Sequence, residues 1–128
     1  MVLDTSALLA VLFDEPERRA FNEKIAAASP RLLSAVSFVE ASIVLAVKRG
    51  DAAVRELDLF LARAAVEIVP LDADQGRVAR RAYSLYGKER HPAGLNFGDC
   101  FAYALAKTTG EPLLFKGNDF TQTDVLPA

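Results

Sequence analysis

Four carboxylates stand in this sequence where a charge is out of place: Asp4, Glu40, Asp99 and Asp119. Asp4 ends the apolar run Met1-Val2-Leu3, and Glu40 is the only charge between Phe38 and Val47. Asp99 opens the apolar stretch from Cys100 to Ala106, and Asp119 follows Leu113-Leu114-Phe115. An isolated carboxylate among apolar residues is costly unless it is paired or holds a cation. If the four converge, they form an oxygen-rich cage suited to a hard divalent ion such as Mg²⁺ or Mn²⁺. Such a cage suits phosphodiester chemistry, where metal ions activate water and neutralise the leaving group.

Each acid also has an ordinary structural explanation. Asp4 can cap a helix, and Asp99 can complement a helix dipole. Ser37 and Glu40 have capping-box spacing, and Asp119 reads as a turn residue. Four coincident caps on one sheet edge are the less economical account. The two readings also overlap, because a helix N-terminus holds a carboxylate rigidly.

The elements that must position these acids alternate along the chain. Met1 to Asp4 reads as a strand, and Thr5 or Ser6 caps a helix through Leu12. Pro16 suits the first turn of a second helix, ending in the alanines before Ser29. Arg31 to Ala35 is a second strand, and Ser37 caps an apolar helix that stops at Gly50. Asp51 caps the next helix, with Val54, Leu57, Phe60, Leu61 and Ala64 on one face. Val66 to Val69 is a third strand, and Asp72 or Asp74 caps a helix to about Gly87. A loop from Lys88 to Phe97 leads into a helix from Asp99 to Thr109. Leu113 to Phe115 is a strand, with a last one expected at Val125-Leu126. This alternation predicts a three-layer α/β/α sandwich with a mainly parallel central sheet, one domain over residues 1–128. Ligands of open α/β sheets sit at the carboxyl ends of the strands. All four acids can face that edge.

Composition narrows the function classes. The chain is 52% hydrophobic and 25% charged, which is globular rather than disordered. No apolar run is long enough to span a bilayer, and no positive region precedes the first apolar stretch. One cysteine, Cys100, excludes an internal disulfide framework and a multi-thiolate zinc site, and fits a reducing cytoplasm. The lone histidine, His91, has no cysteine partner for protease chemistry. The net charge of −2 argues against broad nucleic-acid binding but not against a local basic strip. Arg77, Arg80, Arg81, Lys88 and Arg90 form the densest such strip, either a solvated face or a guide for RNA phosphates or an acidic partner.

The segments carrying the acids also resemble a known family. Val2-Leu3-Asp4-Thr5-Ser6-Ala7-Leu8 resembles the opening of PIN-domain nucleases, and Phe38-Val39-Glu40-Ala41 their second acidic motif. Leu95 to Ala102, around Asp99, is similar to the third motif, and Leu113 to Phe120, around Asp119, to the closing segment. The resemblance is near the VapC toxins, the ribonuclease half of toxin–antitoxin pairs. It implies a Mg²⁺- or Mn²⁺-dependent endoribonuclease acting on structured RNA such as tRNA or rRNA. Asp4, Glu40 and Asp99 match the acidic triad. Asp119 is the choice for the fourth position, with Asn118 or Asp124 as shifted alternatives. Thr5 and Ser6 match small hydroxyl positions near the metal. The resemblance further implies a homodimer and a VapB-type antitoxin. The expected products of in-line attack by water are a 5′-phosphate and a 3′-hydroxyl, with Asp99 or Asp119 orienting the water.

Two rival classes leave their own signatures. A phosphoacceptor receiver module needs an aspartate directly after the third strand, where Asp72 is the sole candidate, and a late lysine, which Lys116 could supply. An aspartyl-nucleophile phosphatase wants a second aspartate two residues after the first, where Ser6 stands. A catalytically inactive PIN-like binding protein would not need to retain all four acids. No Gly-rich phosphate loop is present to support nucleotide hydrolysis.

Overall fold

Short apolar segments flanked by amphipathic helices leave the chain one economical solution, a sheet buried on both faces. The computed structural model describes residues 1–128. Its elements are β1 (Val2–Leu3), α1 (Thr5–Leu12), α2 (Arg18–Ala27), β2 (Leu32–Ser34) and α3 (Ala35–Arg49). They continue with α4 (Asp51–Arg63), β3 (Glu67–Val69), α5 (Ala73–Tyr86), α6 (Phe97–Thr109) and β4 (Leu113–Leu114). The strands form one parallel sheet in the order β3-β2-β1-β4, the expected α/β/α architecture.

Strand alternation sorts the core into two halves, because successive side chains point to opposite faces. Leu3, Leu33 and Leu114 face a cluster containing Leu8, Phe21, Ile25, Leu45, Leu57 and Leu61, from α1 to α4. Val2, Leu32 and Leu113 face the other cluster, with Ala79, Ala82, Tyr103 and Leu105 from α5 and α6. The outer strand β3 is largely exposed, and its short length and Glu67 make it a poor template for further pairing. No helix is long and apolar enough to cross a membrane.

The topology makes one edge special. β1 is followed by β2 on one side, while β4 lies on its other side, so the sheet reverses direction of growth at β1. Asp4 stands where β1 ends, at this switch point. Helices that follow or precede parallel strands run antiparallel to them, so the N-termini of α3 and α6 come to the same edge.

The helix starts differ from the sequence reading. Asp4 itself, not Thr5 or Ser6, caps α1. Ser34 caps α3, with its Oγ accepting the Val36 N–H at 3.2 Å. Ser37 is therefore inside the helix and buried, no Ser37–Glu40 capping box forms, and Glu40 lies in the second turn. Gly50, at φ 80°, caps α4 in place of Asp51, because reversing the chain between α3 and α4 requires a backbone conformation that glycine adopts freely. Pro16 lies ahead of α2 rather than within it, and α6 begins at Phe97 because Asn96 caps it. Val125-Leu126 forms no strand. The chain there meets β4 in a single bridge, Leu113 to Pro127, and proline lacks the N–H to extend a ladder.

Asp72 is the cap of α5, accepting the Gln75 N–H at 2.8 Å. Replacing it with alanine should lower unfolding stability by about 1 kcal/mol in chemical denaturation. Divalent-ion binding should be unchanged, whereas lost ion binding would assign Asp72 the receiver-type role.

Candidate active site

Burial and backbone donors fix the first acid. Asp4 is 4% exposed, and its own N–H donates to the Leu114 carbonyl at 2.9 Å. Asp4 Oδ2 accepts the Ser6 N–H at 3.0 Å and the Ser6 hydroxyl at 2.5 Å. Ser6 Oγ in turn accepts the Lys116 N–H at 2.9 Å. Ser6 thus ties the acid on β1 to the chain leaving β4. Thr5 turns elsewhere, donating to the Ser37 carbonyl at 3.4 Å and tying α1 to α3.

Asp99 is held by the start of α6. Asn96 Oδ1 accepts the Asp99 N–H at 2.9 Å, and Asp99 Oδ2 accepts the Asn96 N–H at 3.0 Å. This reciprocal capping box locks the carboxyl and commits only one of its oxygens. Glu40 reaches across from α3 to the same turn. Its carboxylate lies against Gly98, where an added Cβ would collide with Oε2. The absent side chain at Gly98 is therefore the space that Glu40 fills. Asp119 is exposed on the chain beyond β4, and its charge acts on Asp99.

The electrostatics record the convergence. Burial pushes Asp4 up from 3.8 to about 6, against the Ser6 hydrogen bonds, and the Glu40 charge adds to the rise. Asp99 is raised too, first by burial, against the Asn96 backbone bond, and then by the charges of Asp4 and Asp119. None of the ion pairs in the structure involves these four acids. Lys116, the nearest lysine in sequence, is occupied by Glu15 and Glu17. The donor set, carboxylates with no internal cation, fits a hard divalent ion. No three of the acids are drawn tightly enough together to enclose one as they stand. Like charges that lack a cation repel, and Asp4 Oδ1 and Asp99 Oδ1 accept no donor hydrogen bond.

The remaining candidates separate clearly. Asp124 accepts the Tyr103 hydroxyl at 2.5 Å and pairs with Lys107 at 3.0 Å, which lowers its pKa and makes it structural. The Asn118 carbonyl accepts the Thr121 N–H and hydroxyl, as a turn residue does. His91 Nδ1 accepts the Ala93 N–H, and its ring packs edge-on against Tyr86. The Cys100 thiol is buried, donates to the Asn96 carbonyl, and is pushed up to about 11, so it is no nucleophile. The basic strip divides: Arg77 pairs with Asp74, Arg81 lies toward Tyr103, and Arg80 lines a hollow shared with Phe97. Lys88 and Arg90 are exposed on the loop before α6. Sequence reasoning missed Asn96 and Gly98. The Asn-x-x-Asp spacing before an apolar run was the available signal for Asn96.

The fold that carries these acids is shared with known proteins. The PIN domain model matches residues 1–126, so the chain belongs to the PIN-domain family. Within that family it groups with the VapC ribonucleases. It is 54% identical to Ribonuclease VapC30 of Mycobacterium tuberculosis, over 98% of this chain and 95% of that protein. It is equally 54% identical to Ribonuclease VapC of Mycolicibacterium smegmatis, over 98% of this chain and 97% of that protein. The fold matches the crystal structure of M. tuberculosis VapC20, described as a Sarcin-Ricin loop cleaving toxin, with a TM-score of 0.78. That match has 18% identity and covers 99% of this chain and 97% of the other. VapBC2 of Rickettsia felis, bound to a DNA fragment from its promoter, matches with a TM-score of 0.78 at 16% identity, over 98% and 94% of the two chains.

Two outcomes follow from this geometry. Gly98→Ala should leave the fold intact, since alanine favours the helix and the obstructing atoms belong to a flexible glutamate. The displaced Glu40 carboxylate should weaken Mn²⁺ affinity on the order of tenfold in a titration. Unchanged affinity would remove Glu40 from the site. The second concerns Asp4, whose folded-state pKa lies above its unfolded value. Its stabilising contribution is full below about pH 4 and is lost as pH rises through about 6. In EDTA, Asp4→Asn should therefore gain on the parent by roughly 3 kcal/mol between pH 4 and pH 7. A flat difference in unfolding free energy over that range would show that Asp4 ionises without penalty.

Proposed function

We propose that the chain is a divalent-metal-dependent endoribonuclease, the toxin half of a toxin–antitoxin pair. The observation that carries the metal site is the set Asp4, Glu40, Asp99 and Asp119 at one sheet edge, in which Asp4 feels the charge of Glu40 and Asp99 those of Asp4 and Asp119, with none of the four in an ion pair. Names of relatives as ribonucleases support the reaction, and solved relatives in toxin–antitoxin complexes support an antitoxin of the VapB type as partner. A cytoplasmic site of action, where such RNA would be met, and a homodimer are part of this reading.

Asp4, Glu40 and Asp99 are the residues that would hold Mg²⁺ or Mn²⁺. When bound, the ion supplies Lewis-acid activation of water and neutralises charge on the leaving oxygen. The protein's part is placement. Ser6 fixes the Asp4 carboxyl, Asn96 fixes Asp99, and Gly98 gives Glu40 room to reach in. Asp119 is the most exposed of the four acids, which suits it to orient an incoming water and accept its proton. Attack in line with the ribose 3′-oxygen breaks the P–O3′ bond and leaves a 5′-phosphate and a 3′-hydroxyl. The only histidine, engaged with Ala93 and Tyr86, is not set to activate a 2′-hydroxyl.

The receiver-type alternative gains no support. Asp72 is a helix cap, and Lys116 is occupied by two glutamates.

The test is cleavage of total RNA with Mg²⁺, with Mn²⁺ and in EDTA, with the cut ends mapped. Cleavage should require the ion and leave 5′-phosphates. Asp99→Asn keeps size and capping geometry but removes a charge, and should lower the rate by at least about a hundredfold. Cleavage by that variant near the parent rate would remove Asp99 from the reaction, and products with 2′,3′-cyclic ends would replace the metal mechanism.

A further inference from the structure

The chain beyond β4 is fastened to the rest of the fold by an ion cluster that takes no part in the reaction. Lys116, the second residue after β4, sets its ammonium group against two carboxylates of the loop joining α1 and α2. It pairs with Glu15 and lies 3.3 Å from Glu17 Oε2. Its backbone N–H has a separate task, donating to Ser6 Oγ at 2.9 Å, and Ser6 in turn holds Asp4. We infer that Lys116 is a positioning residue of the metal site, whose ion pairs with Glu15 and Glu17 fix both the Ser6 hydroxyl behind Asp4 and the start of the segment that carries Asp119. The inference rests on the metal-dependent reading and adds how the site is pre-organised.

Three observations support that role. The first is the anchor. The Glu15 N–H donates to the Ala10 carbonyl at 2.9 Å, and the Glu15 carbonyl accepts the Arg18 N–H at 2.9 Å. Both backbone groups of Glu15 are committed, so its side chain starts from a fixed point. The second is the anchored segment. Phe115 packs against buried Phe120 at 5.2 Å between ring centroids, which pins the two ends. Between them, Gly117 has no side chain, and Asn118 and Asp119 are exposed. Lys116 is the only side chain between the two phenylalanines that forms an ion pair.

The third observation is Glu17 Oε2, which is sealed from solvent and accepts no hydrogen bond. The Lys116 charge 3.3 Å away compensates it. Without that ammonium group the oxygen would be buried and unpaired, a costly state that the loop relieves by moving until water reaches it. Such a shift carries the α1–α2 loop away from the chain beyond β4. The side chains of the cluster are about one-third exposed, so the pairs add little to global stability. Their effect is on direction, as with groups that orient metal ligands from behind.

The test is titration of the metal-free protein with Mn²⁺, with the free ion followed by electron paramagnetic resonance. The parent is compared with Lys116→Met, which keeps the aliphatic stem, with Lys116→Arg, and with Glu15→Gln and Glu17→Gln combined. Circular dichroism checks that each folds, and if Lys116→Met does not, the isosteric glutamine pair carries the test. Loss of positioning should weaken Mn²⁺ binding about tenfold in Lys116→Met and in the glutamine pair alike. All three substitutions together should cost no more than either change alone, because they break one interaction. Lys116→Arg, which can still span both carboxylates, should stay near the parent. Charge acting through space predicts opposite signs instead, since removing a cation beside the acids tightens Mn²⁺ binding and removing two anions loosens it. Tighter binding by Lys116→Met therefore overturns the inference, as does weakening confined to the glutamine pair or parent-like affinity in both. A parent that binds no Mn²⁺ overturns the metal-dependent reading and this one with it, whereas a binding parent with unaffected variants overturns the positioning role alone.

Discussion

Repulsion among buried carboxylates is the constraint on which this structure turns. Asp4 and Asp99 are brought to one sheet edge, with Glu40 and Asp119 beside them, and no basic side chain offsets the group. An apolar core would be more stable without them. The fold supports the arrangement by tethering each acid to its own backbone rather than to a neighbouring charge. Ser6 holds Asp4, and the reciprocal Asn96 cap holds Asp99. These tethers act on the carboxylates without neutralising them, so their charge stays available to an external cation.

The placement of Lys116 shows the same economy. Its backbone N–H binds Ser6, directly behind the first acid, yet its ammonium group is drawn away to Glu15 and Glu17. A lysine reaching Asp4 instead would pair with it, lower its pKa and satisfy the pocket from within. The two glutamates therefore do more than join the chain beyond β4 to the loop between α1 and α2. They hold its ammonium group in an ion pair away from Asp4.

The sequence displayed the acids and the layers but not their fastenings. Asp4, Asp99 and the alternation Val2-Leu3, Leu32-Leu33 and Leu113-Leu114 are local signals, readable from polarity and period two. Where several candidates stand in a row the cap stayed open, as at Asp4-Thr5-Ser6, where Asp4 takes it, or was misassigned, as at Ser37, where Ser34 takes it. Propensity ranks such residues almost equally, and tertiary packing decides between them. Ser37 looked like a cap but is buried, because α3 must start at the sheet edge, one residue after β2. Gly98 carries no signal of its own. Its role is defined by Glu40, far away in sequence, and only the folded chain shows what a Cβ there would strike. The basic residues illustrate the same limit: helix spacing groups Arg77, Arg80 and Arg81, but neighbours from other elements send them to different tasks.

Net charge completes the argument about how such a pocket meets RNA. An anionic pocket on a net acidic chain repels a phosphate backbone until a cation occupies it. Metal and RNA then favour each other's binding, because each ligand relieves the charge the other must face.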